Sequence, residues 1–259
     1  MNPQAIFFDI DGTLVSFETH SIPASAKKAI NMLKDKGIKV FISTGRALCD
    51  VNNLEDLVFD GLITANGAYC IDSHGTVIHK SLLPKESLQI LANYLEKKPF
   101  PCEFITYMGT FINYEDELAL SVGQLVNLPV PPVKPVLEVI EYDVFQLGLF
   151  VDTELENYLM TNIFPDCINS RWHPAFADIT AKNCCKAAGM KKVIEYFGIE
   201  KERTMAFGDG GNDISMLKFA ETGVAMGNAN DDVKAAANYV TDSIDNNGIM
   251  NALKYFKIL

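Results

Sequence analysis

The segment Ala5-Ile-Phe-Phe-Asp-Ile-Asp-Gly-Thr13 decides the fold class of this chain. Its first four residues form an uninterrupted apolar run, which is typical of a strand that is buried on both faces of a parallel sheet. Two carboxylates, Asp9 and Asp11, follow that strand, and Gly12 lets the chain turn sharply away. We therefore expect an α/β protein with a polar site at the carboxyl end of its first strand.

The residues after this segment extend the same fold. Apolar residues between 23 and 36 recur at helical spacing, and Gly37 ends the predicted helix. The apolar run 38–42 predicts a second strand. A strand-helix-strand unit implies a right-handed crossover between parallel strands.

Residues 185–259 repeat this alternation, so both ends of the chain are expected to build one doubly wound, Rossmann-like parallel-sheet core. The predicted elements are helix 185–197, strand 204–207, helix 214–219, strand 224–226, helix 231–237, strand 239–240 and helix 248–256.

The pattern changes between residues 83 and 183, where an inserted α+β cap domain is expected within a core made of residues 1–82 and 184–259. The runs 104–107 and 110–114, separated by Met108-Gly109, predict a β-hairpin. The other predictions here are strands at 145–151 and 168–172, helices at 85–96, 115–126 and 154–163, and an extended proline-rich connector at 129–135.

Composition excludes several classes of protein. The 259 residues are 48% hydrophobic and 21% charged, an ordinary globular mixture. The net charge of −11, with basic residues scattered in pairs, argues against a nucleic-acid partner.

The longest uncharged run, 118–133, contains three prolines and several polar residues, so no membrane partner is expected. No signal peptide is visible, and a cytoplasmic location is expected. The six cysteines show no C-x-x-C spacing and are expected to be free thiols.

A second polar segment, Ser43-Thr-Gly-Arg46, follows the second predicted strand. Its hydroxyls and backbone N–H groups at a helix start suit a phosphate-sized anion. A Ser/Thr helix cap explains the same residues equally well. Further along, Lys186 opens a predicted helix, and taken alone it is better explained as a solvated surface lysine.

A further segment, Gly208-Asp-Gly-Gly-Asn-Asp213, follows a strand and resembles a dinucleotide-binding loop only superficially. Asp213 stands where the third glycine of that motif belongs, and acidic residues repel a pyrophosphate unless a cation intervenes. The Asp9–Gly12 loop is not an EF-hand either, because its glycine comes at the fourth position rather than the sixth.

Four carboxylates, those of Asp9, Asp11, Asp209 and Asp213, are expected at one sheet edge. Two such charges about 4 Å apart repel by roughly 4 kcal/mol at an effective dielectric constant near 20, so a cation is required among them. Oxygen ligands without His or Cys favour a hard ion, and Mg²⁺ is the first choice beside a phosphate.

Taken together, these motifs resemble those of the haloacid dehalogenase superfamily. The ordered set is Asp9-x-Asp-Gly-Thr13, Ser43-Thr-Gly-Arg46, Lys186 and Gly208-Asp-Gly-x-Asn-Asp213. The Thr-Gly-Arg form, the Thr64-Ala-Asn-Gly-Ala68 segment and the insert are similar to Cof-type sugar phosphatases with a type IIB cap. Cys185 and Ala187 depart from the residues common beside the family lysine, but Lys186 is kept.

The resemblance implies a role for each motif residue. Asp9 would be the nucleophile that forms an aspartyl phosphate, and Asp11 would be the general acid and then the base. Mg²⁺ would be held by the carboxylates of Asp9 and Asp209 and by the Asp11 backbone carbonyl, with Asp213 supporting the metal or orienting Lys186. Phosphoryl oxygens would be bound by Thr44, Gly45 and Lys186. Further candidates for contacts with phosphate or substrate are Asn66, Asn212 and Arg46, the last equally consistent with a structural ion pair.

The implied activity is a Mg²⁺-dependent phosphatase that acts on small phosphorylated metabolites such as hexose phosphates, with the cap setting selectivity. A phosphosugar mutase of the phosphomannomutase type and a catalytically silent sugar-phosphate sensor are the alternatives. Because both Asp9 and Asp11 are present, the silent sensor is the weaker of the two. Within the cap, Trp172 and His173 are candidates for substrate contact, although a buried aromatic role suits Trp172 better. The sequence does not indicate an oligomeric partner.

Overall fold

Strand β1 (Ala5–Phe8) is fully buried and lies between β2 (Lys39–Ser43) and β11 (Thr204–Gly208), both parallel to it. The computed structural model of the chain describes residues 2–125 and 130–259. The remaining strands are β3 (Gly61–Thr64), β4 (Tyr69–Asp72), β5 (Val77–Lys80), β6 (Cys102–Thr106), β7 (Gly109–Ile112), β8 (Val144–Leu149), β9 (Cys167–His173), β10 (Phe176–Ala181), β12 (Thr222–Ala225) and β13 (Tyr239–Val240).

Helices alternate with these strands, as the sequence pattern predicts for the two ends of the chain. They are α1 (Ala24–Asp35), α2 (Lys85–Leu95), α3 (Glu117–Leu125), α4 (Val136–Val139), α5 (Thr153–Asn162), α6 (Lys186–Phe197), α7 (Ile214–Phe219), α8 (Asp231–Ala236) and α9 (Gly248–Tyr255). None of the helices within the described ranges has both the length and the apolar character needed to cross a bilayer.

The first sheet has the strand order β13-β12-β11-β1-β2-β3-β4-β5. Its six strands from β13 to β3 are parallel, and β4 is antiparallel to β3. The chain moves outward from β1 through β2 and β3, and later outward in the other direction from β11 to β13. The strand order therefore reverses between β1 and β11, which is where open α/β sheets bind their ligands.

Alternate residues of β1 point into two different cores, one on each face of the sheet. Ile6 and Phe8 pack in a core that α1 and α9 cover, whereas Ala5 and Phe7 pack in a core that α6, α7 and α8 cover. A strand buried on both faces reads as a continuous apolar run, which explains the Ala5–Phe8 sequence. The doubly wound α/β prediction is confirmed.

The chain divides into two compact units. The first consists of residues 1–46, 51–79 and 185–259 and contains the sheet just described. The second consists of residues 47–50 and 80–184 and contains a second sheet with the order β7-β6-β8-β10-β9, in which the paired strands are antiparallel. The sequence placed the limits of the insert at 83 and 183, close to those of this unit, but residues 47–50 also join it.

Several local predictions differ from the structure. The hairpin between β6 and β7 turns at Tyr107-Met108 rather than at Met108-Gly109, because Gly109 already begins the second strand. The strands β3, β4, β5 and β10 and the short helix α4 were not predicted, since their runs of four to six residues carry a weak pattern. Residue 126 of the predicted helix 115–126 and residue 129 of the predicted connector lie outside the described residues.

All six cysteines are free, as expected.

Candidate functional site

A buried lysine lies between two carboxylates at the carboxyl end of the first sheet. The Nζ of Lys186 donates hydrogen bonds to Asp9 Oδ1 at 2.6 Å and to Asp213 Oδ1 at 2.5 Å. Lys186 and Asp213 are completely buried and Asp9 is 6% exposed. Lys186 is therefore not a surface lysine: α6 begins at this residue and places its ammonium beside the end of β1.

The electrostatics of this group are strongly perturbed. Burial raises the pKa of Asp9 well above its ordinary value, and repulsion from Asp213 adds to this, while the nearby Lys186 ammonium acts in the opposite direction. Burial alone would lower the pKa of Lys186, but attraction to Asp213 and Asp9 outweighs it and raises that pKa. Lys186 therefore remains an ammonium group. The negative charge of Asp9, by contrast, needs a proton or a second cation to offset it.

Asp213 holds the loop that carries Asp209. Its Oδ2 accepts hydrogen bonds from the backbone N–H groups of Asp209 and Gly210, each at 2.9 Å. With Lys186 on Oδ1, both oxygens of Asp213 already have donors. The arrangement suits Asp213 to fixing the loop and orienting Lys186, which is one of the two roles that the sequence left open.

Asp209 lies in the loop after β11, and its carboxylate is close to those of Asp9 and Asp213. Thr13 Oγ1 donates a hydrogen bond of 2.7 Å to its Oδ1. Burial raises the pKa of Asp209 to about 7, and the hydrogen bond from Thr13 opposes that rise. The space here is tight, because a Cβ added to Gly12 would lie 2.1 Å from Asp209 Oδ2. Gly12 also has a φ of +81°, which glycine adopts readily, so two independent reasons favour glycine at this position.

Three carboxylates form the candidate metal site. Asp9, Asp209 and Asp213 each offer an oxygen within 4.8 Å of the others. Their combined charge exceeds what the single Lys186 ammonium neutralises, and all the donors are oxygen atoms. This donor set fits a hard divalent cation such as Mg²⁺. The structure thus brings together three of the four carboxylates that the sequence indicated.

The fourth carboxylate, that of Asp11, has a different partner. Arg46 donates to it twice, from Nε to Oδ2 at 2.8 Å and from Nη2 to Oδ1 at 2.7 Å. The bidentate pair directs the Asp11 side chain toward the loop after β2 instead of toward Asp209. The sequence suggested an ion pair for Arg46, but not its partner, because residue types do not specify side-chain direction.

The loop after β2 is held by the segment that follows β3. The backbone N–H of Ala65 donates to the carbonyl of Arg46 at 2.8 Å, and the N–H of Asn66 donates to the carbonyl of Thr44 at 3.1 Å. Ala65 and Asn66 have φ values of 47° and 53°, a conformation that is costly for alanine and that asparagine adopts more readily. Thr44 is almost completely buried, and its Oγ1 accepts the N–H of Arg46 at 3.1 Å.

The two candidate asparagines meet over Gly45. Asn212 Nδ2 donates to Asn66 Oδ1 at 3.0 Å. A Cβ on Gly45 would lie 3.2 Å from Asn66 Oδ1 and 3.3 Å from Asn212 Nδ2, so the glycine permits this close approach. Strand ends and loops therefore bring Thr44, Gly45, Asn66 and Asn212 to one edge of the sheet.

Two residues of this site were not singled out in the sequence. Thr13 was quoted only as part of its motif, yet it bonds Asp209. Asn228 follows β12 and donates from Nδ2 to the carbonyl of Gly12 at 2.9 Å and to Asp209 Oδ2 at 3.3 Å. Its position after a parallel strand was the available signal. The backbones of Trp172 and His173 lie in β9, and their side chains are outside what the structure describes.

Comparison with known proteins shows the family of the chain. The family model for haloacid dehalogenase-like hydrolases matches residues 6–253. Among curated proteins, the chain is 31% identical to the 5-amino-6-(5-phospho-D-ribitylamino)uracil phosphatase YcsE of Bacillus subtilis (strain 168), over 97% of this chain and 94% of YcsE.

Two solved structures are more similar in sequence. The HAD subclass IIB sugar phosphatase BT4131 is 46% identical, with a TM-score of 0.89, and the match covers 99% of this chain and 100% of that chain. The second structure is 45% identical, with a TM-score of 0.90 and full coverage of both chains. It is described as showing conservation of a trigonal-bipyramidal intermediate in a phosphoryl-transfer superfamily.

Proposed function

The chain belongs to the haloacid dehalogenase-like hydrolase family, and from this membership we propose that it is a Mg²⁺-dependent phosphatase of small phosphorylated metabolites. The observation that carries the proposal is the buried group of Asp9, Lys186 and Asp213, with the carboxylate of Asp209 beside it. This group combines the carboxylate that we propose as the nucleophile with the fixed positive charge of Lys186.

Binding of the phosphoryl group is assigned to the loop after β2 and to Lys186. Thr44 offers a hydroxyl and Gly45 a backbone N–H, while Lys186 supplies a fixed positive charge. The amides of Asn66 and Asn212 lie against Gly45 and are assigned to the rim of the same subsite. Preorganised donors of this kind stabilise the charge that develops on the transferring group.

The reaction is proposed in two steps. In the first, a carboxylate oxygen of Asp9 attacks phosphorus, the bond from phosphorus to the leaving oxygen breaks, and Asp11 gives that oxygen a proton. In the second, Asp11 takes a proton from water, the water oxygen attacks phosphorus, and the bond to Asp9 breaks. Inorganic phosphate is released and both carboxyl groups return to their starting protonation states.

Mg²⁺ is assigned to the carboxylates of Asp9 and Asp209 and the backbone carbonyl of Asp11, with Asp213 supporting them. When bound, it would neutralise charge between the carboxylates and the phosphoryl oxygens. Lys186 contributes the remaining positive charge and holds Asp9 in place. Asp9 is almost completely buried, and its pKa is raised. Its ionisation therefore depends on Lys186 and on the bound cation.

The substrate class is proposed to be sugar phosphates or related phosphorylated metabolites. This rests on the similarity to BT4131, a sugar phosphatase, and to YcsE, which acts on a phosphoribityl compound by its name. The inserted unit that we assign to residues 83–183 is proposed to set selectivity among them. A phosphosugar mutase remains the second candidate, distinguished by transfer of the phosphoryl group to a second sugar hydroxyl rather than to water.

The proposal is tested by assaying phosphate release from an aryl phosphate by the wild type and Asp9→Asn. We expect Asp9→Asn to lose at least ~10³ in kcat, since removing a nucleophile leaves only binding and electrostatic catalysis. Asp35→Asn, an exposed change on α1, is the matched control. Acid quenching of wild type with labelled substrate should trap label on Asp9. Full turnover by Asp9→Asn contradicts the assignment.

Specificity is measured separately as kcat/KM across hexose phosphates, pentose phosphates and 5-amino-6-(5-phospho-D-ribitylamino)uracil. A preference of tenfold or more for one sugar class supports the proposed substrate class. A flat profile contradicts it and leaves the phosphatase assignment standing. Label that appears on a second sugar instead of as phosphate would favour the mutase.

A further inference from the structure

Asn228 is an exposed residue in the loop after β12 whose side chain has three hydrogen-bond partners. Its Nδ2 donates to the Gly12 carbonyl at 2.9 Å and to Asp209 Oδ2 at 3.3 Å, and its Oδ1 accepts the backbone N–H of Ile244 at 3.1 Å. One amide thus joins the loop after β1, the loop after β11 and the turn that precedes α9. An exposed side chain adds little to core packing, so its contribution lies in these contacts.

The contacts converge on one carboxylate. Thr13 Oγ1 donates to Asp209 Oδ1 at 2.7 Å, and Asn228 donates to Oδ2 from the other side. With one donor on each oxygen, the plane of the carboxylate is fixed. Each oxygen keeps further lone-pair capacity, because an ionised carboxylate has about four acceptor positions.

The two donors differ in what holds them. Thr13 is completely buried directly after the first strand. Asn228 is exposed and is oriented by its own hydrogen bonds, because the Ile244 N–H fixes its oxygen and thereby turns its NH₂ group toward Asp209 and Gly12. Gly12 directly follows Asp11 in the chain, so the hydrogen bond to the Gly12 carbonyl also restrains the loop that carries Asp11.

We propose that Asn228 is a positioning residue that orients Asp209 and the Asp11–Gly12 loop for binding of Mg²⁺. This inference rests on the metal site of the proposed function. Partners of metal-ligating side chains typically change metal affinity by 10- to 100-fold when they are removed. Asn228 therefore sets the Mg²⁺ affinity without being a ligand.

A purely structural role for Asn228 has a different signature. If the residue served only to anchor the turn at Ile244, any side chain with an oxygen in that place would suffice. Asn228→Asp keeps that acceptor, replaces the NH₂ donor by an oxygen and adds a negative charge beside Asp209. Asn228→Ala removes both the donor and the acceptor without adding a charge. Comparison of the two substitutions therefore separates orientation of Asp209 from anchoring of the turn.

The test measures Mg²⁺ binding by isothermal titration calorimetry of the full chain, without substrate, for wild type, Asn228→Asp and Asn228→Ala. Asn230→Ala, an exposed asparagine two residues along the same loop, is the matched control. Thermal unfolding in EDTA reports on the fold of each variant.

We expect Asn228→Asp and Asn228→Ala to raise the Kd for Mg²⁺ by about 10-fold or more, with Asn230→Ala unchanged. Asn228→Asp should unfold below wild type in EDTA, because its new carboxylate oxygen faces the Gly12 carbonyl and Asp209 Oδ2. The unfolding midpoints show whether each variant is folded at the temperature of the titration. A Kd for Asn228→Ala equal to or below that of wild type overturns the inference. Absence of Mg²⁺ binding by wild type overturns the proposed metal site and this role together, so the two failures are distinguishable.

Discussion

Arg46 holds Asp11 through two parallel hydrogen bonds, Nε to Oδ2 at 2.8 Å and Nη2 to Oδ1 at 2.7 Å. The Arg46 side chain is 14% exposed and that of Asp11 is 36% exposed, so the pair lies at the border of the site. A planar guanidinium fixes both the position and the plane of a carboxylate, which an ammonium does not.

This pair leads to a prediction for Arg46→Lys. The lysine keeps the positive charge but lacks the two parallel N–H donors of the guanidinium. Asp11 is then no longer held in one orientation. We expect kcat/KM for the aryl phosphate to fall by about 100-fold, as for a misplaced catalytic group. Arg203→Lys, which alters only a backbone contact with Asn2, should stay within about twofold. Equal activities of the two variants would show that the charge of residue 46 is sufficient.

Lys186→Met should destabilise the fold. The substitution leaves Asp9 and Asp213 without their shared cation in a buried position, and removal of one partner of a buried pair costs about 3–5 kcal/mol. Urea unfolding measures the change. Lys191→Met on the same helix removes only a distant, exposed contact with Glu195 and should cost less than about 0.5 kcal/mol. Similar losses in free energy of unfolding for Lys186→Met and Lys191→Met would contradict the buried ion pairs of Lys186 with Asp9 and Asp213.

Mg²⁺ should stabilise the folded chain, and EDTA should remove that stabilisation together with activity. A ligand that binds only the folded state adds about 2.7 kcal/mol at 100 times its Kd, which unfolding midpoints in EDTA and Mg²⁺ can detect. In Asp209→Asn we expect the increment from Mg²⁺ to disappear, while the midpoint in EDTA stays equal or rises because one negative charge close to Asp9 and Asp213 is gone. An unchanged increment in Asp209→Asn would place the ion elsewhere.

Glu103 in β6 should make stability depend on pH. Burial raises the pKa of Glu103 to about 8, and the carboxylates of Asp178 and Asp50 add to the rise. The folded state therefore binds the proton more tightly than the unfolded state, whose pKa is near 4.5. The stability from this group is present below about pH 4.5 and is lost as pH rises toward 8.

Glu103→Gln removes this loss. We expect the variant to gain about 1–2 kcal/mol relative to wild type between pH 5 and pH 8, measured by urea unfolding. Glu141→Gln changes an exposed residue of the same unit and should show no such trend. If the difference in free energy of unfolding between Glu103→Gln and wild type were the same at every pH in this range, it would contradict the raised pKa of Glu103.

The sequence predicts the core better than the details of the site, for a physical reason. Parallel strands are fixed by apolar runs such as Ala5–Phe8, and their carboxyl ends meet at one edge whatever the loops do. Asp9, Asp209 and Asp213 are therefore brought together as the motifs indicate.

Contacts between side chains of different loops could not be predicted in this way. The pairing of Arg46 with Asp11, the contact between Asn66 and Asn212 and the bond from Asn228 to Asp209 depend on loop backbones. The left-handed conformation of Ala65 is an example, because nothing about an alanine indicates a positive φ. Short strands such as β3 and β4 likewise carry too few residues for a clear period.

The division of the first unit between the two ends of the chain determines the order in which the protein can fold during synthesis. All five strands of the second sheet lie between residues 102 and 181, whereas β1 pairs with β11, and Thr13 bonds Asp209 across 196 residues. On the ribosome, the second sheet can be completed while β1 still lacks a neighbour on one side. We therefore expect the nascent chain to carry an apolar strand with an unpaired edge until Thr204–Gly208 has emerged, and an unpaired strand edge is a site of aggregation.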